Sequence, residues 1–295
     1  MCSSSRRADL SSTGPSSFSR RPATGFSKLV LLAFMLLAGA AQARELRICA
    51  DPNNLPFSNA AGEGFENKIV ALIAEDLGAT LTYTWHAQRR GFLRETLHAG
   101  LCDLVPGLPS NMESVRTTRP YYRSVYAFVT REDVPPITSL NDPVLKDLVI
   151  GVQLIGDDGW NTPPAHALTR RGIVQNIRGY TLYGDYREPN PPAKIVAAVA
   201  DREIDVAVVW GPLAGYFAPR QSTPLRVTPV KPLFDGPQLP MVWDISMAVR
   251  KEDEMLRQEV DESLSRHAHE IDVILSEYGV PRADRTFRGG EARTR

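Results

Sequence analysis

Short apolar runs alternate with helical stretches along most of the chain, and this alternation limits the possible folds more than any other feature. Residues 46–50 predict a strand that ends in the turn-rich loop Asp51-Pro52-Asn53-Asn54-Leu55-Pro56. Residues 66–77 put Ile69, Leu72, Ile73 and Leu77 on one helical face, with Gly78 as the stop. A strand over 80–85, a helix near 92–98 and a strand over 102–107 follow. Strand, helix, strand, helix, strand predicts an α/β body of mainly parallel sheet with right-handed crossovers. A further strand over 124–131 runs into Glu132-Asp133-Val134-Pro135-Pro136, a stiff polar segment suited to a hinge. The pattern then restarts, with strands at 148–153, near Tyr180 and at 205–210, and helices near 165–171 and 193–201. A Pro-rich return, a strand over 245–250 and one long helix over 252–278 complete it.

The N-terminus reads as a leader over residues 1–43. Arg20, Arg21 and Lys28 precede an apolar run over 29–41, and Ala41-Gln42-Ala43 offers a small-x-small cleavage site. About 13 apolar residues fall short of the ~20 of a spanning helix, so cleavage near Ala43 is expected over a membrane anchor. The product is then periplasmic and not membrane-embedded, and the two arginines leave its export route open. Of 34 basic and 34 acidic residues, the leader carries five and one, leaving 29 and 33, a net charge of −4. Such a chain has no basic field for nucleic acid or an anionic membrane. Cys2 leaves with the leader, so Cys49 and Cys102 remain as an even pair in an oxidising compartment, and a disulfide between them is expected. In a 2-1-3 strand order their strands are adjacent, so topology and disulfide support each other.

Loops after the first and third strands of such a sheet face the ligand crevice, which nominates Asn53, Asn54, Phe57 and Pro109 with Ser110. The two asparagines can equally serve their own loop backbone. Arg89, Arg90, Arg119 and Tyr121 are candidates for the cleft rim, where guanidinium groups hold carboxylates or stack on rings; solvated helix ends and hinge packing are the rival accounts. Trp160, Trp210 and Trp243 fall at strand ends or returns and could line a wide pocket or pack inside. Catalytic and metal motifs are missing, and His267 and His269, two apart on a helix, point to different faces. No cofactor, metal or catalytic residue is therefore expected; the only acids suited to a buried catalytic role are Glu66, Asp103 and Asp244.

The Gly64-Phe65-Glu66 helix start, the Gly100-Leu101-Cys102-Asp103-Leu104 strand, Arg119-Pro120-Tyr121-Tyr122 and the late Ile245-Ser246-Met247-Ala248-Val249-Arg250 strand resemble type II periplasmic solute-binding proteins over almost the whole mature chain. The resemblance implies two lobes around an interlobe cleft, a discontinuous one over 44–132 plus 241–284 and a contiguous one over 133–240, with a flexible tail at 285–295. The blocks from Cys49 to Asn59, from Gln88 to Phe92, from Thr117 to Tyr122 and from Trp210 to Tyr216 resemble the J components of methanol dehydrogenase operons more specifically. That similarity implies a binding protein, not an enzyme, acting on a periplasmic quinoprotein methanol dehydrogenase that contains pyrroloquinoline quinone. A receptor for a small polar solute, serving a transporter, is the alternative, and a dehydratase-like use of the fold a third. Amino-acid receptors of this fold start a lobe-two helix with Gly-Thr-Thr to hold the ligand carboxylate; here Gly156-Asp157-Asp158 stands there and would repel it.

Overall fold

In the computed structural model, which describes residues 44–154, 161–181 and 186–283, the first body is built on β1 (Arg44–Ala50), α1 (Phe65–Asp76), β2 (Ala79–Trp85) and β3 (Val105–Pro109). β1 runs parallel to β2, with Arg44 opposite Ala79 and Ala50 opposite Trp85. On its other side Ile48 forms a parallel bridge to Leu104, just ahead of β3, and the Cys49 amide donates to the Leu104 carbonyl at 3.0 Å. This is the 2-1-3 order, and it brings Cys49 and Cys102 to a Cα–Cα distance of 5.5 Å, joined by a disulfide across 53 residues. On the chain-entropy model that link is worth about 4 kcal/mol. Beside it Asp103 accepts from Arg47 at 2.6 Å and from Arg250 at 3.2 Å. The buried stripe of α1 holds Glu66, Ile69, Val70, Ile73 and Ala74, and Leu72 lies outside it, partly exposed.

The second body carries β4 (Tyr122–Arg131), β5 (Ile150–Leu154), α2 (Pro163–Arg170), β6 (Ile177–Thr181), α3 (Lys194–Ala200), β7 (Val206–Trp210), α4 (Gly211–Phe217) and β8 (Leu225–Pro229). β7, β5 and β6 are parallel neighbours. Val206 and Val208 bury into one apolar cluster with Ile150, Val152 and Leu168. Ala207 and Val209 bury into another with Ile195, Val199 and Leu213. A continuous apolar run buried on both faces is what a central parallel strand between helices requires.

β9 (Val242–Val249) then returns to the first body, followed by α5 (Glu254–Arg266) and α6 (Ala268–Glu277), both packed on α1. The first core gathers Leu46, Ile48, Phe65, Ile69, Leu104, Met247, Val260 and Leu275. The single helix expected over 252–278 is two helices, broken where His267 leaves helical geometry with φ −97° and ψ 20°. No described helix is long and apolar enough to cross a membrane.

β4 belongs to both bodies. Its residues Tyr122 to Val125 pair antiparallel with β9. Its residues Tyr126 to Thr130 pair antiparallel with β7, and Ala127 to Arg131 with β8 on the other edge. The sheet is therefore more mixed than the mainly parallel one expected, because the strands that cross between the bodies run against the βαβ strands. The chain changes partner inside β4, ahead of the polar segment at 132–136. α4, read from the sequence as no element, tightens this crossing. A Cβ on Gly215 would stand 1.9 Å from the Gly279 carbonyl oxygen, and one on Gly211 would stand 2.4 Å from that of Val125. The adjacent Tyr216 and Tyr278 rings stack at 5.4 Å. Gly215→Ala is expected to cost about 1–3 kcal/mol, since both obstructing groups are backbone. Urea unfolding checks this, and an unchanged midpoint would mean that α4 and the 279–281 segment separate in solution.

Candidate functional site

The loop after β1 is organised by a buried carboxylate. Asp51 accepts from the amides of Asn53 at 2.9 Å and Gln88 at 2.7 Å, and the Tyr186 hydroxyl donates to it from the second body. Asn53 repeats the crossing, donating to the Glu188 carbonyl at 2.8 Å and accepting from the Asn190 amide at 3.2 Å. These contacts hold the loop against the segment leading into α3 and close one side of a cavity between the two cores.

That cavity measures about 250 Å³. The first body supplies Asn54 and Phe57 from the loop, Glu66 from α1, Gln88 after β2, Gly107 from β3 and Ile245 from β9. β4 supplies Tyr122 and Tyr126, four residues apart and hence on one face of the strand. The second body supplies Gln153, Thr162, Pro192, Trp210 and Leu213. Trp210 meets Tyr126 edge-on at 5.3 Å, and Phe57 meets Phe65 at 5.4 Å. The Thr162 hydroxyl donates to the Gln153 backbone carbonyl at 2.7 Å.

Glu66 decides the electrostatics of the space. It is 4% exposed and occupies the second position of α1, where its amide donates to the Phe57 carbonyl at 3.0 Å. Its carboxyl lies against Gly107, where a Cβ would stand 2.0 Å from Oε1; with a φ of +74°, that position demands glycine twice over. Among the described lining residues there is no lysine, arginine or histidine, and Glu66 carries the one ionisable carboxyl. Burial pushes its pKa up to about 8. Burial also raises Tyr121 and Tyr122 well above the ordinary phenol range, with the charge of Glu66 adding to the effect.

The sequence candidates divide. Asn54, Phe57 and Trp210 line the cavity, and Asn53 spans its rim. Arg89 and Arg90 lie in an outer groove with Trp85 and Tyr186, the Arg89 guanidinium 5.9 Å from the Tyr186 ring. Pro109 pairs opposite Ile245 without lining the cavity, and Trp243 packs on the first core. Arg119 and Tyr121 line a separate groove with residues of α5 and α6 and not the cavity, though the buried Tyr121 phenol lies near Gly107 and Glu66. The Arg119 amide donates to Asp261 at 2.6 Å and its guanidinium to Ser265 at 2.9 Å, because the buried Asp261 needs donors and takes Arg257 as well. Trp160, Gly156-Asp157-Asp158, the leader and the tail lie outside the described residues. Of the three candidate acids, Asp103 is held by two arginines, Asp244 is 3.6 Å from Arg123 and partly exposed, and Glu66 alone reaches the cavity. Gln88, Gly107, Tyr122, Tyr126, Gln153 and Thr162 were not among the candidates; the even spacing of Tyr122 and Tyr126 was the available signal.

The folded chain holds the Glu66 proton up to about pH 8, whereas an unfolded glutamate releases it near 4.5. The native state thus binds the extra proton between those values, and stability falls as pH rises through that window, by on the order of a few kcal/mol. Glu66→Gln should flatten this slope when urea midpoints are compared at pH 5, 7 and 9. Parallel slopes for variant and wild type would show that the carboxyl is hydrated or paired in solution.

The chain is similar to Protein MoxJ of Methylorubrum extorquens, 35% identical over 257 residues that cover 83% of each chain. It is 31% identical to Protein MoxJ of Paracoccus denitrificans, over 82% of this chain and 90% of that one. Among solved structures it superposes on MxaJ from Methlophaga aminisulfidivorans with a TM-score of 0.70 at 26% identity, covering 80% of this chain and 99% of that one. On the periplasmic binding protein XoxJ from Methylobacterium extorquens the TM-score is 0.65 at 34% identity, covering 80% and 98%. The family model for bacterial extracellular solute-binding proteins, family 3, matches residues 46–279, and with the type II periplasmic binding protein architecture it places the chain in that family.

Proposed function

We propose that this protein is a periplasmic, solute-binding-type accessory protein of a methanol dehydrogenase system containing pyrroloquinoline quinone, which aids maturation or activation of the dehydrogenase by binding it, or a related guest, in the cleft. The observation that carries this reading is the near full-length similarity to MoxJ and XoxJ together with a cavity whose described lining offers an acid and no base. The carboxylate of an amino acid, the usual guest of this fold, would find no cation among the described lining residues. The lobes expected from the sequence are 44–132 with 241–284 and 133–240; we place their crossing inside β4, after Val125, the last residue paired with β9, so that 126–132 go with the second lobe. Closure then follows the binding of a guest that contacts both lobes more strongly when shut. Glu66 has no second ionisable carboxyl or imidazole beside it among the described lining residues, which favours binding over catalysis.

One observation favours the second reading, a receptor for a small polar solute. The cavity of about 250 Å³ is smaller than the ~300–1,000 Å³ of sites for drug-sized ligands. A tagged protein recovered from the periplasm with its leader processed separates the two. Capture of an apo quinoprotein dehydrogenase subunit, identified by mass spectrometry, is the expected result. Capture of transporter components, or of no partner combined with a thermal shift by a small solute, would overturn the accessory role.

A further inference from the structure

The lining of the cavity is unusual in a specific way. A carboxyl that is 4% exposed points into it, and no hydrogen bond within the described structure engages that carboxyl. Around it stand the rings of Phe57, Tyr122, Tyr126 and Trp210, contributed by a loop, by both halves of β4 and by the end of β7. A lone buried acid is costly to keep unless something pairs with it. Ring faces attract cations, and a cluster of them beside a carboxylate is the arrangement that recognises organic ammonium groups.

We infer that the cavity is a receptor for an ammonium group carried by a small guest, with Glu66 as its counter-ion and the rings of Phe57, Tyr122, Tyr126 and Trp210 as its walls. Asn54, Gln153 and Thr162 line the cavity toward the polar end of the guest, where Asn54 also donates to Gln88 and the Thr162 hydroxyl to the Gln153 carbonyl. The inference rests on the cavity being the binding site, not on the dehydrogenase being the partner. The same ammonium chemistry has two sources, a free organic amine or a lysine side chain presented by a partner protein. An anionic guest, and a polycarboxylate cofactor in particular, is disfavoured by the same residues.

Binding is then linked to pH. The groups that share the field of Glu66 are Tyr83 on β2, Tyr121 just ahead of β4 and Tyr122 at its start, with Arg282 acting on Tyr122. The three phenols are raised by burial and stay neutral below pH 10. Glu66 is therefore the group of this set that titrates between pH 6 and 9, and the cation must displace its proton wherever the free protein holds one.

The test is titration calorimetry on the full mature chain with choline, with its neutral isostere 3,3-dimethylbutan-1-ol, with acetate and with a doubly blocked lysine. Choline is expected to bind at least tenfold more tightly than the isostere at pH 9. Its affinity should fall by close to tenfold per unit from pH 7.5 to 6. Glu66→Gln should abolish both the preference and the pH dependence, with its melting curve as the control for folding. Trp210→Leu, which leaves the acid in place, should weaken choline several-fold while the pH dependence persists. Binding of blocked lysine with the same dependence on Glu66 would assign the ammonium to a protein partner, and choline binding alone would assign it to a free amine. Equal affinity for choline and the isostere, or no millimolar binding of either cation at pH 9, would overturn the inference. Dehydrogenase capture is independent of these results, so the two readings fail separately.

Discussion

The backbone ladder of β4 is the constraint from which the rest of the architecture follows. One ten-residue strand hands its hydrogen bonds from β9 to β7 and β8 without leaving the extended conformation. Because side chains alternate strictly along a strand, Tyr122 and Tyr126 emerge on the same face although they belong to different cores. The cavity is therefore not an accidental gap between two bodies but a space whose floor is a shared strand. The side chains of Asp51 and Asn53 add the opposite edge, with hydrogen bonds that cross to the second body.

Within that frame the chemistry is set by desolvation. Glu66 sits where α1 begins, a position at which an acid is ordinarily favoured by the helix dipole, yet burial raises its affinity for a proton instead. Gly107 is the reason it fits: any side chain there would occupy the space of the carboxyl. The nearby Asp103 shows the contrast. Two arginines hold its charge and its pKa is lowered, so it stabilises the join between β1, β3 and β9 and takes no part in the cavity.

Much of the fold was legible because its signals are local. The apolar spacing and Gly78 set α1 to within about a residue, and the parity of two remaining cysteines with the 2-1-3 order fixed the disulfide. Errors arose where the deciding partner is distant or the local signal misleads. Arg119 looked like a cleft residue, but its partner Asp261 lies 142 positions away. The split at His267 has no glycine or proline to announce it. α4 was hidden because Gly211-Pro212 after a strand reads as a turn, although proline is well suited to the first turn of a helix. Tyr126 and Gln153 escaped notice because they lie within strands and not in the loops where ligand contacts are usually sought.

The glycine contact between α4 and the segment at 279–281 has a wider implication. α4 opens with Trp210 at its cap and Leu213 in its first turn, both on the cavity wall, while Gly215 on the same helix rests on Gly279. The thickness of that backbone contact therefore sets where the wall stands. A larger residue at 215 would push α4 away from the 279–281 segment and resize the space without altering a residue that lines the cavity.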